Sequence, residues 1–165
     1  MHNTHFSQYI PPTLWHFVTA TITWVAGDVA GTIAANRAAA DQTSVITIPI
    51  MIPSNSVALQ GAKLVSIEVD YEIKAAEPTS ITWTLNKVTR GIEGAVATVA
   101  AVTKTNTVAD AAAKTVDQHK QVITITTPAY IDNDEYYLLE ASWVAGAGGN
   151  TAKFLGAVAN FTLKG

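Results

Sequence analysis

The chain has 165 residues, a formal net charge of -3 and no cysteine, with 48% hydrophobic and only 14% charged residues. That length suits one domain able to bury roughly two thirds of the surface its unfolded form exposes. The composition excludes disulfides, thiolate chemistry and a cysteine zinc site, and the scattered Lys and Arg form no basic stripe, so nucleic acid is not expected as a partner.

The charged fraction is well below the roughly 25% of ordinary soluble domains, which points to surfaces covered by neighbouring subunits. The opening MHNTHFSQYIPPT lacks the basic n-region and apolar h-region of a secretory signal. No uninterrupted apolar run reaches the roughly 18 residues of a membrane span. The chain is therefore expected to be made in a cytoplasm and to assemble there, away from membranes.

Residues 1–13 are polar and aromatic and end in Pro11-Pro12, which lack backbone donors and favour an extended path. They are expected to form an extended N-terminal arm ahead of one domain over residues 14–165. An ordered arm would lie on its own domain or on a neighbouring subunit, and the low surface charge favours the neighbour. His5, Phe6, Tyr9, Ile10, Pro11 and Pro12 are then the candidate interface residues.

In residues 16–25, His16, Val18, Ala20, Ile22 and Trp24 alternate with Phe17, Thr19, Thr21 and Thr23, which predicts a first strand. Residues 36–42 are too short and Ala-rich to assign. In residues 44–53, Ile46, Ile48, Ile50 and Ile52 share one face, and Pro49 within the run argues for an edge or a bulge. Ser54-Asn55-Ser56 and Gly61 mark a turn. Residues 63–74 give the clearest strand, with Val65, Ile67, Val69, Tyr71 and Ile73 inside and Ser66, Glu68, Asp70, Glu72 and Lys74 outside. Residues 80–90 set Ile81, Trp83 and Leu85 opposite Thr82, Thr84 and Asn86, and the two runs are expected to form an antiparallel hairpin.

Residues 95–107 read as one strand of small and β-branched residues. Residues 109–116 have helical propensity for at most two turns, with Asp110 as a cap. Residues 120–127 return to alternation with Ile123 and Ile125 inside. After the turn signal Asp132-Asn133-Asp134, Tyr137, Leu139, Ala141, Trp143 and Ala145 alternate with Tyr136, Leu138, Glu140, Ser142 and Val144, a central strand around which the others are arranged. Residues 152–164 close the chain with Leu155, Ala157, Ala159, Phe161 and Leu163 on one side. The total is about eight strands with turns between them, an all-β antiparallel sandwich of jelly-roll type.

Three groupings carry the residue types of a chemical site. Glu68, Asp70 and Glu72 share one strand face about 7 Å apart, as acid/base or cation-binding carboxylates would, but the wet face of a half-buried strand is the simpler account, since nothing nearby in the sequence would desolvate them. Asp132 to Glu135 has oxygens suited to Ca²⁺ but lacks EF-hand spacing, and a turn accounts for it as well. His2 and His5 are three residues apart, though an arm ending in Pro11-Pro12 is poor support for a metal pair. His16 and His119 have no evident nucleophile partner. There is no G-x-S-x-G elbow and no phosphate-binding loop, and Gly146, Gly148 and Gly149 lack the strand-to-helix context of one, so no catalytic residue, cofactor or metal is assigned. Trp15, Trp24, Trp83 and Trp143 can make a sugar-stacking platform, but Trp83 and Trp143 fall on apolar faces and read as core.

The order and spacing of several pieces over residues 44–164 are distinctive together: the Ile-rich strand with Pro49 and Pro53; Gly61-Ala62-Lys63-Leu64-Val65; a strand ending near Arg90; Ile131-Asp132-Asn133 before Tyr136-Tyr137-Leu138; and Leu155-Gly156-Ala157-Val158. In these the chain resembles a β-sandwich domain that recurs in structural proteins of tailed bacteriophages and in some bacterial surface proteins. It departs in having Phe161 where such domains often carry Tyr, and Gly156 directly after Leu155. The resemblance implies a jelly-roll-like, non-enzymatic virion structural protein, a capsid decoration or cement protein foremost. It implies a homo-oligomer, with a trimer favoured, bound to the major capsid protein or another virion protein. The alternative is a carbohydrate- or receptor-binding module of a tail or head fibre, with Tyr9, Trp15 or Tyr136 stacking on sugar and Asp132 to Glu135 holding Ca²⁺. A small jelly-roll enzyme would need a His and carboxylate metal set, which the sequence does not offer.

Overall fold

Apolar and polar side chains alternate along most of the chain, which commits the backbone to strands; the pairing of those strands then decides the architecture. The computed structural model describes residues 3–28, 30–40, 43–51, 61–91, 93–108, 111–132, 134–146 and 150–164. Among them lie twelve strands: β1 Asn3–Ile10, β2 His16–Val18, β3 Ile22–Ala26, β4 Ile33–Ala40, β5 Ser44–Ile50, β6 Ala62–Ala75, β7 Ser80–Thr89, β8 Thr98–Ala101, β9 Lys104–Asn106, β10 Gln118–Ile125, β11 Glu135–Val144 and β12 Asn150–Lys164. One sheet runs β3-β4-β12-β6-β10-β9, with β1 also paired to β12; the other runs β2-β5-β11-β7-β8. All the pairings are antiparallel. The result is the expected antiparallel β-sandwich of jelly-roll type.

β11 is the middle strand of its sheet, as its pattern predicts. It pairs with β5 on one side and with the whole of β7 on the other, from Glu135↔Thr89 to Val144↔Ser80. Its inward side chains Tyr137, Leu139, Ala141 and Trp143 are buried and meet Ile67, Val69, Tyr71, Phe154 and their neighbours from the facing sheet in one core. Trp143 packs edge-on against Tyr71 and Phe154, with ring centroids 6.0 and 5.6 Å away.

Strand faces follow the sequence, but sheet membership does not. Residues 16–25 are expected as one strand; instead β2 and β3 lie in different sheets. The break is at Thr19, which has φ 58 and donates its hydroxyl to Thr43 O at 2.6 Å. Residues 95–107 likewise divide into β8 and β9 in opposite sheets. The expected hairpin of residues 63–74 with 80–90 is not formed, because β6 pairs with β12 and β10 while β7 pairs with β11 and β8. The link turns at Ala76, φ 54, over the buried Pro78. Alternation records which face is apolar, and both sheets turn an apolar face to the same core, so it is silent on which sheet a strand joins.

Two bulges move the inward set. In β12 the register shifts between Phe154 and Gly156, so Phe154 and Ala157 both face the core and Leu155, expected inside, is half-buried. In β6 a shift opposite Asn160 and Phe161 buries Leu64 and leaves Val65, also expected inside, half-buried. Of the expected helix, Asp110 lies outside the described residues and residues 111–116 form turns; the Ala113 carbonyl there accepts a 2.6 Å bond from Tyr71 Oη.

The unassigned residues 36–42 belong in part to β4. Its Arg37 is 1% exposed, donating from Nη1 to Asn150 O at 2.7 Å and Oδ1 at 2.9 Å and from Nε to Ser44 Oγ at 3.0 Å. Trp143 Nε1 donates to the same Asn150 Oδ1 at 3.2 Å, so one polar knot ties both sheets. Residues Asn3–Ile10 of the expected arm form β1, aligned with β12 of the same chain from Asn3↔Lys164 to Ile10↔Ala157. Pro49 in β5 falls just past the end of β2, which pairs only with Val45, Ile46 and Thr47, so its missing N–H faces a locally open edge.

Candidate functional site

The outer face of the larger sheet holds a polar cleft. β6 sends Glu68, Asp70 and Glu72 outwards, as its alternation predicts, and the flanking strands put Lys120 and Gly156 opposite Asp70 and Gln118 opposite Glu72. A cleft of 380 Å³ on this face is lined by Tyr9, Asp28, Thr32, Asp70, Gln118 and Leu155. A second hollow of 240 Å³ continues past Tyr9 and Thr32 to Pro11, Thr13, Gly31 and Ile33. Together they form a groove that Tyr9 divides.

Tyr9 is held by the bulge in β12. Its hydroxyl donates to Leu155 O at 3.0 Å, and its ring lies over Gly156, where a Cβ would sit 2.5 Å from Tyr9 Cε2. Gly156 has φ 147, a conformation few side chains tolerate, so the glycine serves both the bulge and the ring. The Tyr9 side chain remains 54% exposed. On the far wall Asp28 is ion-paired with Lys153, whose side chain is itself 8% exposed.

The three carboxylates of β6 are not equivalent. Glu68 accepts from Lys120 Nζ at 3.2 Å and from Asn160 Nδ2 at 3.0 Å, and these bonds lower its pKa from the ordinary value. Glu72 has Lys74 at 3.5 Å. Asp70 lies 4.0 Å from Lys120, and among the described residues nothing donates a hydrogen bond to it. Its pKa is raised, chiefly by burial, with Lys120 opposing and Glu68 adding to the rise. Burial and then the charge of Asp70 raise the Tyr9 phenol. The Asp70 side chain is 35% exposed beside 30% for Glu68 and 31% for Glu72, so all three keep the half-wet face expected of the strand, and Asp70 differs in lining the cleft beside Tyr9.

The candidate interface residues are dispersed. Phe6 stacks on Phe161 with centroids 4.8 Å apart, and Ile10 and Pro12 are buried within the chain's own fold. His5 is exposed with Nδ1 3.2 Å from Thr162 Oγ1, Tyr9 enters the cleft, and Pro11 lines its extension. Of the aromatics considered for sugar stacking, Trp15 is only 6% exposed and donates to Ile10 O at 3.3 Å, Trp83 and Trp143 are core, and Tyr136 is half-buried. Trp24 is 52% exposed, edge-on to Phe17.

In the 132–135 turn, where Asn133 lies outside the described residues, Glu135 is already engaged by Lys87 at 2.5 Å and by the Asp132 N–H at 3.2 Å. Among the described residues no three His, Asp or Glu side chains converge as a metal would need; His2 lies outside them. His119 Nε2 sits 2.7 Å from Thr115 O, its ring against Tyr71. Gln118, Asp28, Thr32 and Gly156 were not foreseen as site residues. Gly156, a glycine inside an apolar strand, was the one local signal of a close approach.

No protein-family model and no curated protein matches the sequence. Among solved structures the chain is similar to the CBM22-1–GH10 modules of Clostridium thermocellum endo-1,4-beta-D-xylanase 10B, at 11% identity and TM-score 0.49 over 98% of this chain and 28% of that one. It is similar to the enzymatically active domain of bacteriophage CBA120 tailspike protein 4, at 10% identity and TM-score 0.41 over 92% of this chain and 20% of that one. It is also similar to the family 11 carbohydrate-binding module of Clostridium thermocellum, at 10% identity and TM-score 0.43 over 96% and 95% of the two chains. The chain thus spans less than a third of the length of the first two, and nothing about its ligand or activity follows from likenesses this distant.

Proposed function

We propose that the protein is a non-catalytic carbohydrate-binding module, and that the groove on the larger sheet holds a glycan. The observation that carries this is Tyr9 laid over Gly156 beside the donor-free Asp70 carboxylate and the exposed Gln118 amide. A sugar ring offers an apolar C–H face and a rim of hydroxyls. An exposed aromatic ring on a paired strand suits the first, and a carboxylate and an amide on neighbouring strands suit the second. The extension past Tyr9 gives room for further units of a chain. Tyr9→Ala should lower affinity for whichever glycans bind on an array at least tenfold, about 1.4 kcal/mol, with an unchanged circular dichroism spectrum. Full binding by the folded variant, or no binding by the natural protein, would remove the proposal.

The second reading is the virion assembly role implied by the sequence resemblance, in which the protein would decorate a particle as a homo-oligomer bound to a capsid protein. One observation favours assembly. β8 ends its sheet, each of its residues is exposed, and Val96 and Val99 beside and within it are 87% and 63% exposed. Such an edge is open to pairing with another chain.

A further inference from the structure

We infer that Asp70 makes this cleft selective for glycans bearing a free amine, with neutral glycans bound more weakly and uronic acids excluded; this rests on the cleft being a glycan site. Glu68, Glu72 and Asp28 each have a lysine within 3.5 Å, whereas the nearest to Asp70 is the Lys120 it shares with Glu68. Lys153 is taken by Asp28 and Lys120 by Glu68 at 3.2 Å, and Lys120 reaches Asp70 only at 4.0 Å. Among the described residues, those lining the cleft include two carboxylates and no cationic side chain. Asp70 lines it together with Tyr9 and lies opposite Gly156 on one flanking strand and Lys120 on the other.

A partly desolvated carboxylate without a donor is a cost that a ligand can relieve. A hydroxyl relieves it with one charge-assisted bond. An ammonium adds the second charge and makes a bond about twice as strong as a neutral pair. A uronate brings a like charge to the same place with no lysine among the described lining residues to offset it, and is repelled. Tyr9 serves all three ligands alike, so the discrimination falls to Asp70.

The test is calorimetric titration of the full chain with matched glycans that differ in one substituent: hydroxyl, free amine, N-acetyl or carboxylate. Gluco and galacto series are both used, at a pH that keeps the amine protonated. The amine form should bind at least tenfold more tightly than the hydroxyl form, and the carboxylate form should not bind. Asp70→Asn should remove the preference while keeping the neutral glycan. Glu72→Gln removes one charge from the same face outside the cleft and should keep the preference, which separates Asp70 from general attraction of a cation to an acidic protein. Equal affinity for amine and hydroxyl forms, or a preference that survives in Asp70→Asn, overturns this inference and leaves the glycan site standing. Binding by no member of either series overturns both.

Discussion

The Tyr9 ring fills the space that any side chain at position 156 would need, so the chemistry of the cleft depends on one glycine and its φ of 147. Tyr9 also donates to Leu155 O, 146 positions away, and the glycine within an apolar strand is the one local hint of such an approach. Asp70 shows the same limit. Its place on the outer face is legible in the alternation of β6, but its place in a cleft is not, because Tyr9 comes from β1. The Lys87–Glu135 pair gives a residue-scale prediction. Their bond of 2.5 Å holds the Glu135 carboxyl below its ordinary pKa and lifts the Lys87 ammonium above its own. The Glu135 contribution is therefore present above the unfolded carboxyl pKa and is lost as pH falls through the lower folded value. The Lys87 contribution is present below the unfolded lysine pKa and is lost as pH rises through the higher folded one. Glu135→Gln should cost about 1 kcal/mol near neutrality, and the deficit should vanish in acid below the folded carboxyl's titration. Urea melts across that range check it; a deficit that does not change with pH would mean that the charge of Glu135 contributes nothing.

Among the elements, β1 has the most consequence. The polar, proline-ended character of residues 1–13 is that of an arm, and the extended path it implies is present over Asn3–Ile10, ahead of a 3-10 turn at Pro12–Leu14; what it did not disclose is the partner, β12, which supplies a full ladder from Asn3 to Ile10. Phe6 lies on Phe161 and Ile10 is 3% exposed. A chain beginning at Leu14 should lose the roughly 1.5–3 kcal/mol of burying Ile10 together with the ladder and the Phe6 contact. A loss of at least about 3 kcal/mol in denaturant melts is expected on that basis. An unchanged midpoint would show the strand to be dispensable to the domain. The bulges in β6 and β12 are likewise element-scale features. A strict period of two cannot place Leu64 and Ile67, or Phe154 and Ala157, on one face, and the extra residue becomes visible only when the partner strand sets the register.

For the whole molecule, the sandwich buries its apolar faces in one core and leaves its edges to define what it can join. β8 is an edge with no charge between residues 94 and 103 and no proline to discourage pairing. If the protein assembles through it, Val99→Lys should convert an oligomer, seen by light scattering after size exclusion, to a monomer with its glycan affinity intact. A monomer in the natural protein at all concentrations would end the assembly reading and leave the cleft untouched. The sequence by itself determined the all-β class, the inward and outward faces of the strands, the centrality of β11 and the burial of Trp83 and Trp143, because side-chain alternation is a local property of a pleated backbone. Only the tertiary structure decided which sheet each strand enters, where the ladders slip, that Trp15 is covered while Tyr9 is not, and that Asp70 has no hydrogen-bond donor among the described residues. These depend on pairings between distant segments, and two sheets sharing one core ask the same alternation of every strand.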